Sequence, residues 1–260
     1  MSKEEQQTTV ALSYQRSAKI QAVLRRDLLE FSSAVFNTFT PNFILDLGCG
    51  AGFSTQSLQR RFSESQILGV DCQEALLAFA QSQTLGSRIS FMNARFSDFF
   101  FPTGIDTVFS FSALHWLTDA EVTLDRWVSS LSSKAVFAAA IFGPETYSEL
   151  ALSLSDVLGQ PILLQAGHFL PLSHWSLLFK QRFLHVNSVR RVYRQEFDSV
   201  LGLFRAIQET QVRGVGLEGV SWTKGFLAEL ERAYRCRFSR IWASYEILLI
   251  SATGAGEGER

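Results

Sequence analysis

Cysteine is scarce in this sequence: Cys49, Cys72 and Cys236 are three among 260 residues, an odd number with no CxxC pair. That excludes a disulfide scaffold and suits a reduced, intracellular protein. Net charge is nearly absent too, at −1, so wrapping nucleic acid is excluded as the main task. No apolar run is long. The longest, Ala135 to Phe142, falls far short of the roughly 20 residues that cross a bilayer. The opening MSKEEQQTTV holds no apolar signal region, so the cytoplasm is the expected location, with no membrane partner. His168, His174 and His185 have no His or Cys partner at ligand spacing, which argues against a metal. Neither a Gly-x-Ser-x-Gly elbow nor a Walker motif occurs, leaving hydrolase and NTPase chemistry without support.

What the chain does have is apolar substance, 47% of its residues, enough for a full core in one domain. Short apolar runs alternate with single amphipathic stretches. Strands are predicted at Phe43 to Leu45, Ile67 to Val70, Arg88 to Ala94, Thr107 to Phe111 and Ala135 to Phe142. Helices are predicted between them at Phe53 to Arg61, Gln73 to Gln83 and Asp119 to Leu131, the last with Thr118 as N-cap. This rhythm is that of an α/β fold, a mostly parallel sheet with helices on both faces. After Gly143-Pro144 the rhythm breaks, and 144–182 reads as a helical insertion. A strand near Val186 to Tyr193, helices at Asp198 to Thr210 and Thr223 to Tyr234, and a strand Ile241 to Ile250 complete the pattern. Residues 1–252 are expected as one domain opening with a helical segment over 1–40, and 253–260 as a disordered tail. A monomer is expected.

Ile44-Leu45-Asp46-Leu47-Gly48-Cys49-Gly50-Ala51-Gly52 carries the most information. A strand must turn sharply into a helix there, and glycines permit both positive φ and close approach of backbone to a ligand. The next strand ends in Asp71, about twenty residues on, the spacing at which a carboxylate meets ribose hydroxyls. The dinucleotide fingerprint is G-x-G-x-x-G, whereas the third glycine here comes one residue early and Asp46 precedes the first. A carboxylate beside the turn repels pyrophosphate and suits a cationic ligand. The sign of that charge favours a sulfonium cofactor over NAD.

Asp46-Leu47-Gly48-Cys49-Gly50-Ala51-Gly52 resembles the first motif of class I S-adenosylmethionine-dependent methyltransferases. The resemblance implies a Rossmann-like seven-stranded sheet with its last strand antiparallel, and S-adenosylmethionine as cofactor. It implies that Gly48, Cys49 and Gly50 approach the methionine part, that Asp71 holds the ribose, and that Cys72 lies beside the adenine. Asp46, Ala94, Arg95 and Ser110 join the implied cofactor-binding set. Where the family often carries an acid after the third strand, this chain has Asn93-Ala94-Arg95, with Asp98 four residues beyond Ala94. A narrower likeness adds to this. Ser13 to Gln21, Ser112-Ala113-Leu114-His115-Trp116 and Tyr245-Glu246-Ile247-Leu248 are similar to malonyl-acyl-carrier-protein O-methyltransferases of biotin synthesis. That family implies Tyr14 and Gln21 near the cofactor and a malonyl group on acyl carrier protein as acceptor. One departure is Phe204-Arg205 followed by Gln208-Glu209, where the family has an apolar-basic pair and then Gly-Ala.

Methylating an ionised carboxylate needs no general base, so no catalytic acid/base residue is assigned; alignment and water exclusion carry the chemistry. A buried carboxylate does need its charge offset. Arg205 is the first candidate, from the matched pair, then Arg190 and Arg191. Trp116 is expected to wall the acceptor pocket, while His115 reads as a hydrogen-bonded structural residue. Between Lys180 and Arg240 there are twelve Lys or Arg against six Asp or Glu, a basic excess that fits an acidic carrier protein or a plain solvated face. A methyltransferase for a small free acid, and a catalytically silent cofactor-binding partner protein, remain as alternatives.

Overall fold

The structure, a computed structural model, describes residues 19–84, 88–209 and 222–256. Its strands are β1 (Phe43–Leu47), β2 (Gln66–Asp71), β3 (Ile89–Asn93), β4 (Thr107–Phe111), β5 (Val136–Phe142), β6 (Phe183–Phe197) and β7 (Ile241–Ala255). They form one sheet in the order β3-β2-β1-β4-β5-β7-β6. The first five run parallel, and β7 is antiparallel to both its neighbours. Among the described residues the helices are α1 (Lys19–Phe31), α2 (Phe53–Arg61), α3 (Glu74–Gln83), α4 (Ala120–Val128), α5 (Ser148–Leu158), α6 (Leu172–Lys180), α7 (Val200–Glu209) and α8 (Lys224–Phe238).

Side chains alternate across a strand, so each buried strand feeds two cores. In β5, Ala138, Ala140 and Phe142 join Leu24 and Leu28 of α1 and Leu154 of α5 on one face. Phe137, Ala139 and Ile141 meet Trp127 of α4 and Phe179 of α6 on the other. Every residue of β5 is buried, as expected of a central strand. The crossover from β5 into 144–182 is pinned to β7. Glu246 accepts the Glu145 N–H at 2.7 Å, and Glu149 accepts the Ser244 N–H at 3.0 Å. The insertion that follows comprises α5, a 3₁₀ turn at Gln165–His168, and α6.

Differences from the sequence reading concentrate at ends. β7 runs on through Thr253 and Ala255, which pair with Val136 and Phe183, so these residues belong to the sheet rather than to a tail. β6 is an edge strand of 15 residues; its outward positions are mostly polar, with Leu184 and Val192 the apolar exceptions, which hides both ends from an apolar pattern. Helix α4 begins at Ala120 after Asp119, and Thr118 donates to the Asp119 carboxylate instead of capping the helix. Residues 1–18 of the N-terminal segment lie outside the described residues.

Trp127 is fully buried and donates its indole N–H to the Phe99 carbonyl at 3.1 Å, tying α4 to the loop after β3. Trp127→Ala should lower stability by about 3–5 kcal/mol; urea unfolding measures this, and a change below about 1 kcal/mol would contradict the packing described.

Candidate active site

The parallel strands all deliver their carboxyl ends to one cleft of about 540 Å³. Gly48 and Gly50 line it beyond β1, and Asp71, Cys72 and Gln73 beyond β2. Ala94, Arg95 and Phe96 follow β3. Phe111, Ser112, His115 and Trp116 lie at and after β4, and Phe142 ends β5. Gln21 reaches the same cleft from α1.

The turn after β1 needs its glycines. Gly48, Gly50 and Gly52 all have positive φ, at 74°, 52° and 81°. A Cβ on Gly48 would overlap that of Ala113, and one on Gly52 would stand 2.8 Å from that of Ala80. The N–H groups of Gly48 and Cys49 both donate to the Val70 carbonyl, at 2.8 and 3.1 Å, and Gly50 N–H donates to Asp71 Oδ2 at 2.9 Å. These donors are therefore spent within the protein. The Gly48 carbonyl accepts no hydrogen bond from the described residues, and Gly48 lines the cleft.

Asp71 is held from two sides, by Gly50 N–H on Oδ2 and Gln73 N–H on Oδ1, both at 2.9 Å. Burial raises its pKa and the backbone N–H groups of Gln73, Gly50 and Cys72 oppose the rise. Each carboxylate oxygen keeps a lone pair for a ligand. Asp46 lies behind the turn, fully buried, accepting Ser54 and Thr55 hydroxyls of α2 at 2.7 Å each. Desolvation lifts its pKa to about 6. Gln21 is buried with its Oε1 unpartnered among the described residues.

The cleft thus brings together Gln21, Gly48, Gly50, Asp71 and Cys72 with Ala94, Arg95 and Trp116. Asp46, Cys49 and Ser110 are not among its lining residues. Asp46 braces α2, the Cys49 side chain is buried under the turn, and the Ser110 hydroxyl is spent on the Leu47 carbonyl at 3.0 Å. Nor do the three candidate arginines line it. Arg190 is paired with Glu246 and Glu145, and Arg191 with Asp27 at 2.8 Å. Arg205 is exposed on α7. Tyr14 lies outside the described residues. Asp98, the possible substitute for the acid missing at Ala94, is exposed and does not line the cleft. Phe99 and Phe101 are core, whereas Phe100 is exposed beneath the Arg126 guanidinium.

Sequence reasoning missed Ser112. It is a non-glycine residue at φ 63°, and nothing in its residue type announces a left-handed backbone. His115 also differs from its reading. It is buried, but no described residue hydrogen-bonds its imidazole, and desolvation lowers its pKa to about 3. No group of three or more His, Cys, Asp or Glu able to hold a metal occurs among the described residues, and none of their helices is long and apolar enough to cross a membrane.

Residues 44–134, the stretch from β1 through α4, match the family described as a methyltransferase domain. A malonyl-[acyl-carrier protein] O-methyltransferase of Bacillus cereus is 29% identical over 143 residues, 55% of this chain and 53% of that protein. A trans-aconitate 2-methyltransferase of Yersinia pseudotuberculosis is 35% identical over 122 residues, 47% of this chain and 42% of that protein. The chain thus spans about half the length of the curated relatives it matches. Among solved structures, a putative methyltransferase from Bacillus halodurans aligns with TM-score 0.58 and 11% identity over 89% of this chain and 98% of that one. The YcgJ protein from Bacillus subtilis gives 0.57 and 15% over 88% and 99%. These likenesses show the fold, a Rossmann-like seven-stranded sheet.

Two outcomes test the site's physics. Gly48→Ala should cost about 2–4 kcal/mol through left-handed strain and overlap with Ala113. Adding Ala113→Gly should recover only the overlap part in urea unfolding; full recovery would contradict the strained turn. His115 has a native pKa below its unfolded value of 6.5, so the unfolded chain gains the proton first as pH falls. Its contribution is present above pH 6.5 and is lost progressively toward pH 3. Asp46 titrates in the opposite sense between 3.8 and about 6. The comparison is therefore with His115→Asn, which should gain on the wild type by about 1 kcal/mol per pH unit below 6.5. Parallel stability curves would remove the neutral buried imidazole.

Proposed function

We infer that the chain is an S-adenosylmethionine-dependent carboxyl O-methyltransferase. We infer further that it acts on the free carboxylate of a malonyl thioester on acyl carrier protein, in biotin (pimeloyl) synthesis. The observation that carries the reading is Asp71, fixed by two backbone N–H groups beside the Gly48-Gly50 turn and keeping a lone pair on each oxygen. The residues fit the cofactor by chemistry. The N–H groups of Gly48, Cys49 and Gly50 are spent, and the Gly48 carbonyl and the carboxylate of Asp71, with Gln21 Oε1 unpartnered in the cleft wall, make an acceptor set suited to a cationic ligand.

When bound, S-adenosylmethionine supplies an electrophilic methyl group on a sulfonium. Asp71 would hold the ribose hydroxyls, Gly48 and Gln21 the charged amino-acid end, and Cys72, Ala94 and Arg95 the neighbourhood of the adenine. Asp46 positions the turn from behind. Phe111, Trp116 and Phe142 exclude water from the acceptor end, and an ionised carboxylate there needs no proton removed. The Bacillus cereus relative supports the malonyl acceptor, and a basic surface would receive an acidic carrier.

A second acceptor, a small free acid, is favoured by two observations. The trans-aconitate 2-methyltransferase has the higher identity of the two relatives. At least six of the twelve cations in 180–240 are ion-paired (Arg182, Arg190, Arg191, Arg235, Arg237 and Arg240), which reduces the basic surface left for a carrier.

Methyl transfer from labelled S-adenosylmethionine should be faster to malonyl-acyl carrier protein than to free malonate or trans-aconitate, and the gene should rescue a biotin-requiring strain lacking this step. Faster transfer to trans-aconitate would exchange the two acceptors. Asp71→Asn should weaken S-adenosylhomocysteine binding at least tenfold in calorimetry, and unchanged affinity would refute the cofactor site.

A further inference from the structure

The end of the cleft over β4 and β5 is built from rings and two unsatisfied polar groups. His115 sits in the 3₁₀ turn Leu114–Trp116, only 7% exposed, its ring centroid 4.7 Å from that of Phe169, 5.0 Å from Trp116 and 5.2 Å from Phe142. Its Nδ1 is buried, and no described residue hydrogen-bonds the imidazole. Three residues earlier, Ser112 follows β4 at φ 63° with its N–H on the Ala140 carbonyl at 2.8 Å. Its Oγ is also buried without a partner. A buried polar group without a partner destabilises the fold. A non-glycine residue held in the left-handed region does so too. Such costs at two residues that line one cleft point to a ligand that relieves them.

Cations are elsewhere. Arg190 and Arg191 are engaged by Glu246, Glu145 and Asp27, and Arg205 does not line the cleft. Arg95, the arginine that does, lies after β3, with two strands between it and β4 in the sheet.

We propose that the acceptor carboxylate is received by uncharged hydrogen-bond groups, the Ser112 hydroxyl and the His115 imidazole, with no arginine against it. The proposal rests on the carboxyl methyltransferase reading and assigns the recognition end of that site. Burial keeps the imidazole neutral at pH 7, so it presents one N–H donor and one lone pair. Neutral donors hold a carboxylate less tightly than a guanidinium does. They orient the oxygen without drawing off the electron density it needs as nucleophile. The three rings around His115 keep water from competing for the same bonds.

Protein saturated with S-adenosylhomocysteine is titrated with malonyl-pantetheine and, separately, with trans-aconitate. His115→Phe keeps a ring in the wall, and Ser112→Gly keeps the left-handed backbone. Each should weaken binding of whichever acid the wild type takes by tenfold or more, with S-adenosylhomocysteine affinity within twofold and thermal unfolding still cooperative. His115→Asn restores a neutral N–H and should recover part of the affinity. In spectra of protein carrying nitrogen-15 histidine, the His115 N–H should move downfield as the acid is added. Unchanged acid affinity in both variants overturns the proposal and leaves the acceptor reading standing; a parallel loss of S-adenosylhomocysteine affinity assigns the pair to the cofactor and overturns it equally. A wild type that binds S-adenosylhomocysteine and neither acid removes the carboxylate reading and this proposal together, but not the cofactor site.

Discussion

The turn at the end of β1 is gripped by two carboxylates, and the geometry of the cleft depends on that grip. Asp46, beneath it, draws in the first turn of α2 through Ser54 and Thr55. Asp71, beside it, takes the Gly50 N–H and at the same time orders its own exit from β2 through Gln73. Because Gly48 and Cys49 also hang from the Val70 carbonyl, the turn is stitched to β2 along its length. A strand-to-helix turn normally presents N–H groups that attract anions. This one has spent those of Gly48, Cys49, Gly50 and Gly52 inside the protein, and a carboxylate stands beside it.

Arginine plays a structural part in this chain more than the basic excess suggests. Arg190 ties the edge strand to the insertion root through Glu145 and Glu246, and Arg191 ties it to α1 through Asp27. Arg182, itself buried, bonds Asp125 and the Leu178 and Glu121 carbonyls, so α4 and α6 are joined across β6's entry. Arg126 clasps the Phe96 and Ser97 carbonyls at 2.7 and 2.6 Å and shapes the cleft wall after β3. Counting charges along a sequence cannot separate such clasps from a docking surface, since the distinction lies in which carbonyls and carboxylates the fold brings opposite.

The sheet was legible because its signals are local. Apolar runs such as Thr107–Phe111 and the helix Phe53–Arg61 were read to the residue, as both are bounded by turns. Asp71 and the glycines were legible through spacing alone. The arginines and the two orphaned polar groups were not. Arg205 stands in a matched pair of residue types, but its exposure on α7 is a property of packing. Ser112 gave no sign because its conformation is imposed by tertiary context, the β4–β5 pairing carried one step further by its bond to Ala140. The ends of β6 are hidden because polar residues on an edge look like loop until their partners are known, and the end of β7 because Ser251 to Ala255 is small and Gly-bearing although it pairs on both sides.

Charge inside the cleft finally bears on what can react there. Of its lining residues, Asp71, Asp119 and Arg95 carry formal charge at neutral pH, and Asp46 stands behind the turn, its pKa lifted to about 6 and so still mainly ionised at pH 7. A cationic cofactor is attracted to such a site, whereas the pyrophosphate of a dinucleotide would meet carboxylates and spent amides. The same inventory constrains the second ligand. An anionic acceptor entering a cleft lined by two aspartates and one arginine gains little from the protein's own charge. On the proposed reading its attraction comes chiefly from the bound cation, and the protein contributes direction and dryness. Order of binding then follows from electrostatics: the cationic ligand first, the carboxylate second, because only the loaded cleft offsets the cost of bringing that anion out of water.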